Sequence, residues 1–137
     1  MRHYIPVDLS GAAGTDVVQR VSLGRNVKLL GVLLVGEAIT GHASNFVDFN
    51  VFAADGSTLL WNRDTDSGND GSTVAGTVYG VSPDETLTAE VAFESGYGAN
   101  DSLTHSQAFK VSAIHSGTGA VVKSILTLIL EDGRSYS

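Results

Sequence analysis

Side chains along this sequence alternate, apolar then polar, over stretch after stretch, and a period of two fits a strand and not a helix. In "NFVDFNVFA", Val47, Phe49, Val51 and Ala53 share one side, while Phe46, Asp48, Asn50 and Phe52 share the other. "ETLTAEVAFE" sets Leu87, Ala89, Val91 and Phe93 against Thr88, Glu90, Ala92 and Glu94. "AFKVSAIH" opposes Phe109, Val111 and Ala113 to Lys110 and Ser112. "DVVQRVSL" places Val17, Gln19, Val21 and Leu23 opposite Arg20 and Ser22. Each reads as a strand with one wet face. Two further runs, "VKLLGVLLV" from Val27 and "SILTLIL" from Ser124, are apolar on both faces. Their β-branched content, the interior Gly31 and the flanking turn residues favour strands over buried helices. A strand of this kind either lies central in a sandwich or covers its outer face against another subunit.

Turn residues punctuate the chain at strand-length intervals. "AADGST" predicts a tight hairpin with Asp55 and Gly56 at its tip. "HSGTGA" predicts a Gly-rich connection, "VSPDET" a turn opened by Pro83, and "SGYGANDS" and "DTDSGNDGST" longer loops. No segment has a capped helical period. About eight or nine short strands predict an all-β chain, a jelly-roll-like antiparallel β-sandwich. The first residues stand apart. "RHYIPVDL" fits an edge strand, where Pro6 costs no ladder bond. It also fits an extended arm carrying Tyr4, Ile5, Val7 and Leu9, with Gly11 to Gly14 as a flexible joint. The expected organisation is an arm and linker over residues 1–14 and a sandwich over 15–137.

With 42% hydrophobic and 17% charged residues, the chain has the composition of a globular domain and not of a disordered one. The absence of cysteine excludes disulfides, thiolate metal sites and a thiol nucleophile. "MRHYIPVDLS" lacks the apolar run of a signal peptide, and "LLGVLLVG" is too short to span a bilayer. The net charge of −7 is uneven: residues 29–101 carry eleven acids against Arg63 alone. So acidic a middle repels phosphate, which argues against a nucleic acid or an anionic membrane as partner.

Three stretches invite a chemical reading. "TGHASNF" gathers His42, Ser44 and Asn45, but acyl transfer needs groups converging from different parts of a fold, and Ser44 lacks a strained Gly-flanked elbow. The simpler expectation is that Thr40, Ser44 and Asn45 bond backbone at a crossing between sheets, leaving His42 as a remote hydrolase candidate. "DTDSGNDGS" offers Asp64, Asp66 and Asp70 to calcium, yet a hard cation asks for six or more oxygens, and a solvated acidic tip is the expectation. The remaining histidines, His3, His105 and His115, show no ligand spacing. No cofactor is expected. Trp61, Tyr79 and Tyr97 are the aromatics that a glycan-binding surface would use, although Trp61, after Leu59 and Leu60, also suits the end of a core.

The stretch from Ala38 through Thr40, Gly41, His42, Ala43, Ser44 and Asn45 to an aromatic follows the apolar strand "VKLLGVLLVGE" and precedes an alternating strand. A "DGST" tip, a "DTD" loop, "SPDETLTAEV" and a final pair joined by Ser116, Gly117, Thr118 and Gly119 come next. In this order, over residues 15–132, the chain resembles small jelly-roll structural proteins of tailed bacteriophages, seen as head decoration (cement) proteins and as modules of virion proteins. The resemblance implies a non-enzymatic protein made in the host cytoplasm and bound to the major capsid protein on the outside of the head, as a homotrimer. It implies a capsid-binding arm of Arg2, His3, Tyr4, Ile5, Val7 and Leu9. It also implies a subunit interface from the second apolar faces, Leu30, Val32 and Leu34 on one strand and Ile125 and Ile129 on the other. The alternative is a tail-fibre or receptor-binding module that recognises host glycan.

Overall fold

The computed structural model describes residues 2–22, 27–53, 56–81 and 109–132. Among them there is no helix, and eight strands form two antiparallel four-stranded sheets. The strands are β1 (Arg2–Asp8), β2 (Val17–Val21), β3 (Val27–Gly36), β4 (Val47–Phe52), β5 (Leu59–Asp64), β6 (Tyr79–Val81), β7 (Phe109–His115) and β8 (Ser124–Asp132). One sheet has the order β1-β8-β3-β6 and the other β2-β7-β4-β5. Both two-sided apolar runs are strands, as expected, and each lies inside the first sheet. The strand expected over Glu85–Glu94 lies outside the described residues, as do Leu23, Asp55, Tyr97 and His105.

The strand numbers of four pairs add to nine: β1 with β8, β2 with β7, β3 with β6 and β4 with β5. Two more pairings, β3 with β8 and β4 with β7, join these into sheets. The inner faces meet in one apolar cluster, with Val7, Val32, Leu34, Leu126 and Leu128 from the first sheet and Phe49, Val51, Trp61, Phe109 and Val111 from the second. The β4 alternation holds as read: Val47, Phe49, Val51 and Ala53 are buried in that cluster. The β4–β5 hairpin closes through Ala53 N–H to Thr58 O (2.9 Å) and Gly56 N–H to Ala53 O (2.9 Å), with Gly56 at φ +75°.

The N-terminal segment is not an arm. β1 pairs with β8 over all seven of its residues, from Arg2 opposite Glu131 to Asp8 opposite Ile125. Beyond it, Leu9 N–H donates to Ser124 O (3.0 Å), and Gly11 and Val122 exchange backbone bonds (3.0 Å each). The joint expected at Gly11 is therefore tied to the strand region at Val122. Val7 and Leu9 are core residues, 6% and 0% exposed, and Ile5 packs against the same cluster. The apolar alternation that suggested a docking arm serves the protein's own sandwich. Pro6 sits on an edge strand, where its missing N–H leaves no ladder bond unmade.

The expected subunit interface is corrected by a bulge. Leu29 pairs with Leu130 and Gly31 with Ile129, so Leu30 is an extra residue and the side-chain parity reverses there. Beyond the bulge, Val32 and Leu34 turn into the core (0% and 2% exposed), while Leu33 and Val35 face out. One inserted residue exchanges the two faces of the strand. Leu30 and Ile129 are also buried within a single chain, which leaves Ile125, 44% exposed, as the member of the expected set open to a neighbour.

Candidate functional site

The loop from Thr40 to Phe46 spends its polar groups on backbone. His42 Nδ1 accepts from the main-chain N–H of Ser44 (3.0 Å) and of Asn45 (2.9 Å), which puts the ring proton of the neutral imidazole on Nε2. The same residue's N–H donates to Thr65 O, and its carbonyl accepts from Ser67 N–H. Asn45 Oδ1 accepts from Thr118 N–H (3.1 Å) across the sandwich end, where Gly117 stands at φ +64°. A Cβ on Gly117 would collide with that Asn45 oxygen, so glycine is required twice over, by conformation and by space. Gly41 N–H donates to Ser72 Oγ (2.7 Å) and Ile39 N–H to Thr73 Oγ1 (2.9 Å). The motif thus ties three loops together at one end. Its imidazole acceptor is engaged in the turn.

The acidic loop is built in the same way. Asp64 accepts from Asp66 N–H (3.1 Å) and from Asn69 Nδ2 (2.8 Å), Asp66 from Gly68 N–H (2.9 Å), and Asp70 from Asp64 N–H (3.0 Å). These are Asx-type turns that shape the loop. Among the described residues no group of three or more acidic or histidine side chains is arranged to hold a metal ion. The carboxylates do act on Asp48. Burial pushes its carboxyl above the ordinary value, a hydrogen bond from Asn62 opposes this, and the charges of Asp64, Asp66 and Asp70 add to it. Asn62 Nδ2 lies within reach of Asp48 Oδ1 (3.1 Å), Asn50 Oδ1 (2.7 Å) and Phe49 O (3.2 Å).

Of the aromatics offered for glycan, Tyr97 lies outside the described residues and the other two are engaged within the chain. Trp61 is 0% exposed and belongs to the core. Tyr79 lies under the Arg63 guanidinium, 4.0 Å from its carbon to the ring centroid, and its hydroxyl accepts from Val74 N–H (2.8 Å). Arg63 entered the sequence reading only as a charge, with no structural role expected of it. It occupies an inward position of β5, opposite Phe49, is 1% exposed, and donates to Ser72 O (3.2 Å). One buried cation therefore plugs an end of the sandwich between sheets. An arginine where the β5 alternation calls for an apolar residue was the available signal.

The surface that remains is the outer face of the first sheet. Register aligns Tyr4 with Ile129 and Gly31, Pro6 with Thr127 and Leu33, and Asp8 with Ile125 and Val35. Tyr4 is 55% and Ile125 44% exposed, and Leu33 and Val35 are half-buried. Of the expected capsid-binding residues, Arg2 and Tyr4 keep positions on this face, whereas His3, Ile5 and Val7 point to the other side of the strand. The chain matches no known family model, no curated protein and no solved structure.

Proposed function

We propose that this protein is a non-enzymatic structural component of a tailed-phage virion, a decoration protein that attaches to the outside of the head and stabilises it. The observation that carries this is the apolar grid on the outer face of the first sheet, made of Tyr4, Pro6, Leu33, Val35 and Ile125. A largely apolar exposed face on a sandwich, broken here by Thr127 and Asp8, marks a site for a protein neighbour, here the major capsid protein. Attachment runs through a paired sheet face and not through a free arm. The pairings that add to nine support a jelly roll, because a long antiparallel ribbon folded at its middle and then rolled gives those four pairs. In a lattice of many copies, modest contacts at each site sum by avidity, and a homotrimer would multiply them further. The glycan alternative has less in its favour, since Trp61 and Tyr79 are both engaged internally.

Empty, undecorated heads incubated with the protein should carry it into the pellet. Ile125→Asp and Tyr4→Ala should reduce the bound fraction, whereas Val18→Asp, at a position 48% exposed on β2 of the other sheet, should not. Failure of the parent protein to co-sediment would count against the reading.

A further inference from the structure

His115 ends β7 beside the Thr40–Phe46 loop, where Ser116 N–H donates to Phe46 O. The inward parity of Phe109, Val111 and Ala113 continues to it, and its side chain is 2% exposed. The imidazole lies against Gly119, which stands at φ +56° and where a Cβ would collide with the ring. Both ring nitrogens face oxygen. Nε2 is 2.8 Å from Ala120 O. Nδ1 is 3.5 Å from Asp16 Oδ1 and, although buried, has no hydrogen-bond partner. The same Asp16 oxygen accepts the His115 main-chain N–H (2.6 Å), which holds the carboxylate beside the ring.

A carbonyl only accepts, so Nε2 carries a proton. In the neutral ring Nδ1 then turns a lone pair toward a carboxylate, and two acceptors face each other. The imidazolium alone suits both sides, with Nε2–H directed at Ala120 O and Nδ1–H at Asp16. Burial opposes the charge, and the Asp16 carboxylate favours it. Asp16 is the one carboxylate within 4 Å of the ring among the described residues. The other elements packed here bring no charge to it. The β4 partner is Val47, and the β7–β8 loop contributes Gly119 and Ala120. His42 turns its Nδ1 into its own loop, while Lys123 and Glu37 are exposed and lie 3.9 Å from each other.

We propose that His115 is a proton-operated latch. A proton taken up at Nδ1 joins the ring to Asp16 and draws the β1–β2 loop, the end of β7 and the β7–β8 loop together. The bond exists only while that proton is bound. Its contribution to stability is therefore full at low pH and is lost as pH rises through titration of the ring in the folded protein. A histidine changes charge between about pH 5 and 8, so acidification over that range tightens this end of the sandwich.

Thermal midpoints of the full-length protein and of Asp16→Asn, each measured at about pH 8 and about pH 5.5, test this. Asparagine keeps an oxygen to accept the His115 N–H and lacks the charge. The difference in midpoint between the two proteins should widen by about 2 °C or more on acidification. Asp48, whose carboxyl is raised, titrates in both proteins and cancels. A smaller widening, or a narrowing in acid, overturns the proposal. Nitrogen-15 NMR of the His115 ring in the parent gives a second reading that needs no variant. Nε2 alone should be protonated at about pH 8 and both nitrogens at about pH 5.5. A folded protein whose His115 ring still holds a single proton at the lower pH also overturns the latch. Both measurements are made without capsids, so their failure leaves the capsid reading standing.

Discussion

Replacing Leu9 by alanine separates a structural N-terminal strand from a docking arm. Leu9 is 0% exposed, sits in the core cluster just past β1, and its N–H donates to Ser124 O. Alanine keeps that backbone bond and removes three buried carbons, a change that costs about 3 kcal/mol at a fully enclosed leucine. A domain of this size loses roughly 3–4 °C of Tm per kcal/mol. Leu9→Ala should therefore melt about 10 °C below the parent in a thermal scan followed by circular dichroism. Tyr4→Ala, on the same strand but 55% exposed, should stay within about 2 °C, as surface substitutions do. Deleting residues 1–9 goes further. It removes the burial of Val7 and Leu9, about 1.5–3 kcal/mol each, and unpairs the β8 edge. Against a total stability of about 5–15 kcal/mol, that deletion should leave little folded protein. A Leu9→Ala variant melting with the parent, or a cooperative transition in the truncated chain, would refute the strand argument.

Arg63→Ala should cost about 2–5 kcal/mol, seen as a lower midpoint in urea, because it empties the sandwich end and strands the Ser72 carbonyl; Arg63→Lys should not restore it, lacking the planar fork over Tyr79. Asp48→Asn should raise stability at neutral pH. The Asp48 carboxyl is raised in the folded protein, so between its unfolded value near 3.8 and its folded value the native state holds the extra proton, and stability falls as pH rises through that window. The gain from asparagine should thus shrink as pH drops toward 3.8, and a gain independent of pH would contradict this origin. His42→Ala should destabilise by about 0.5–1 kcal/mol, because the two backbone N–H groups that lose their acceptor are exposed and turn to water, with the thermal midpoint as the readout.

The sandwich was legible because period-two alternation is a local signal, and β4 shows it residue by residue from Val47 to Ala53. The orientation of β3 was not. Both of its faces are apolar, so composition says nothing about which one is inward, and the bulge at Leu30 reverses the parity that simple counting assigns. Leu30, Val32 and Leu34 were expected at a subunit boundary on that counting, and the structure encloses all three. The segment Arg2–Leu9 was ambiguous for a related reason. Apolar alternation marks a strand but does not name its partner, and β8 lies more than a hundred residues away in sequence. The polar loop at Thr40–Phe46 was legible as backbone capping for Asn45, but its partner Thr118 is distant in sequence, and the local acceptor proved to be His42. Arg63 was hidden because a cation is assumed to be wet, and its aromatic lid, Tyr79, comes from the other sheet.

Hydrogen bonding between β1 and β8 has a consequence for synthesis. A ribosome releases residues 2–8 more than a hundred residues before their partners 125–131, so β1 waits, unsatisfied and sticky, while the strands between them are made. The cooperative fold should then form only after translation has passed β8. Arg2 and Glu131 finish as neighbours, so a short peptide joining them, with new ends cut before Gly56, should give a permuted chain of the same architecture in which the wait passes to β5, whose partner β4 is then made last.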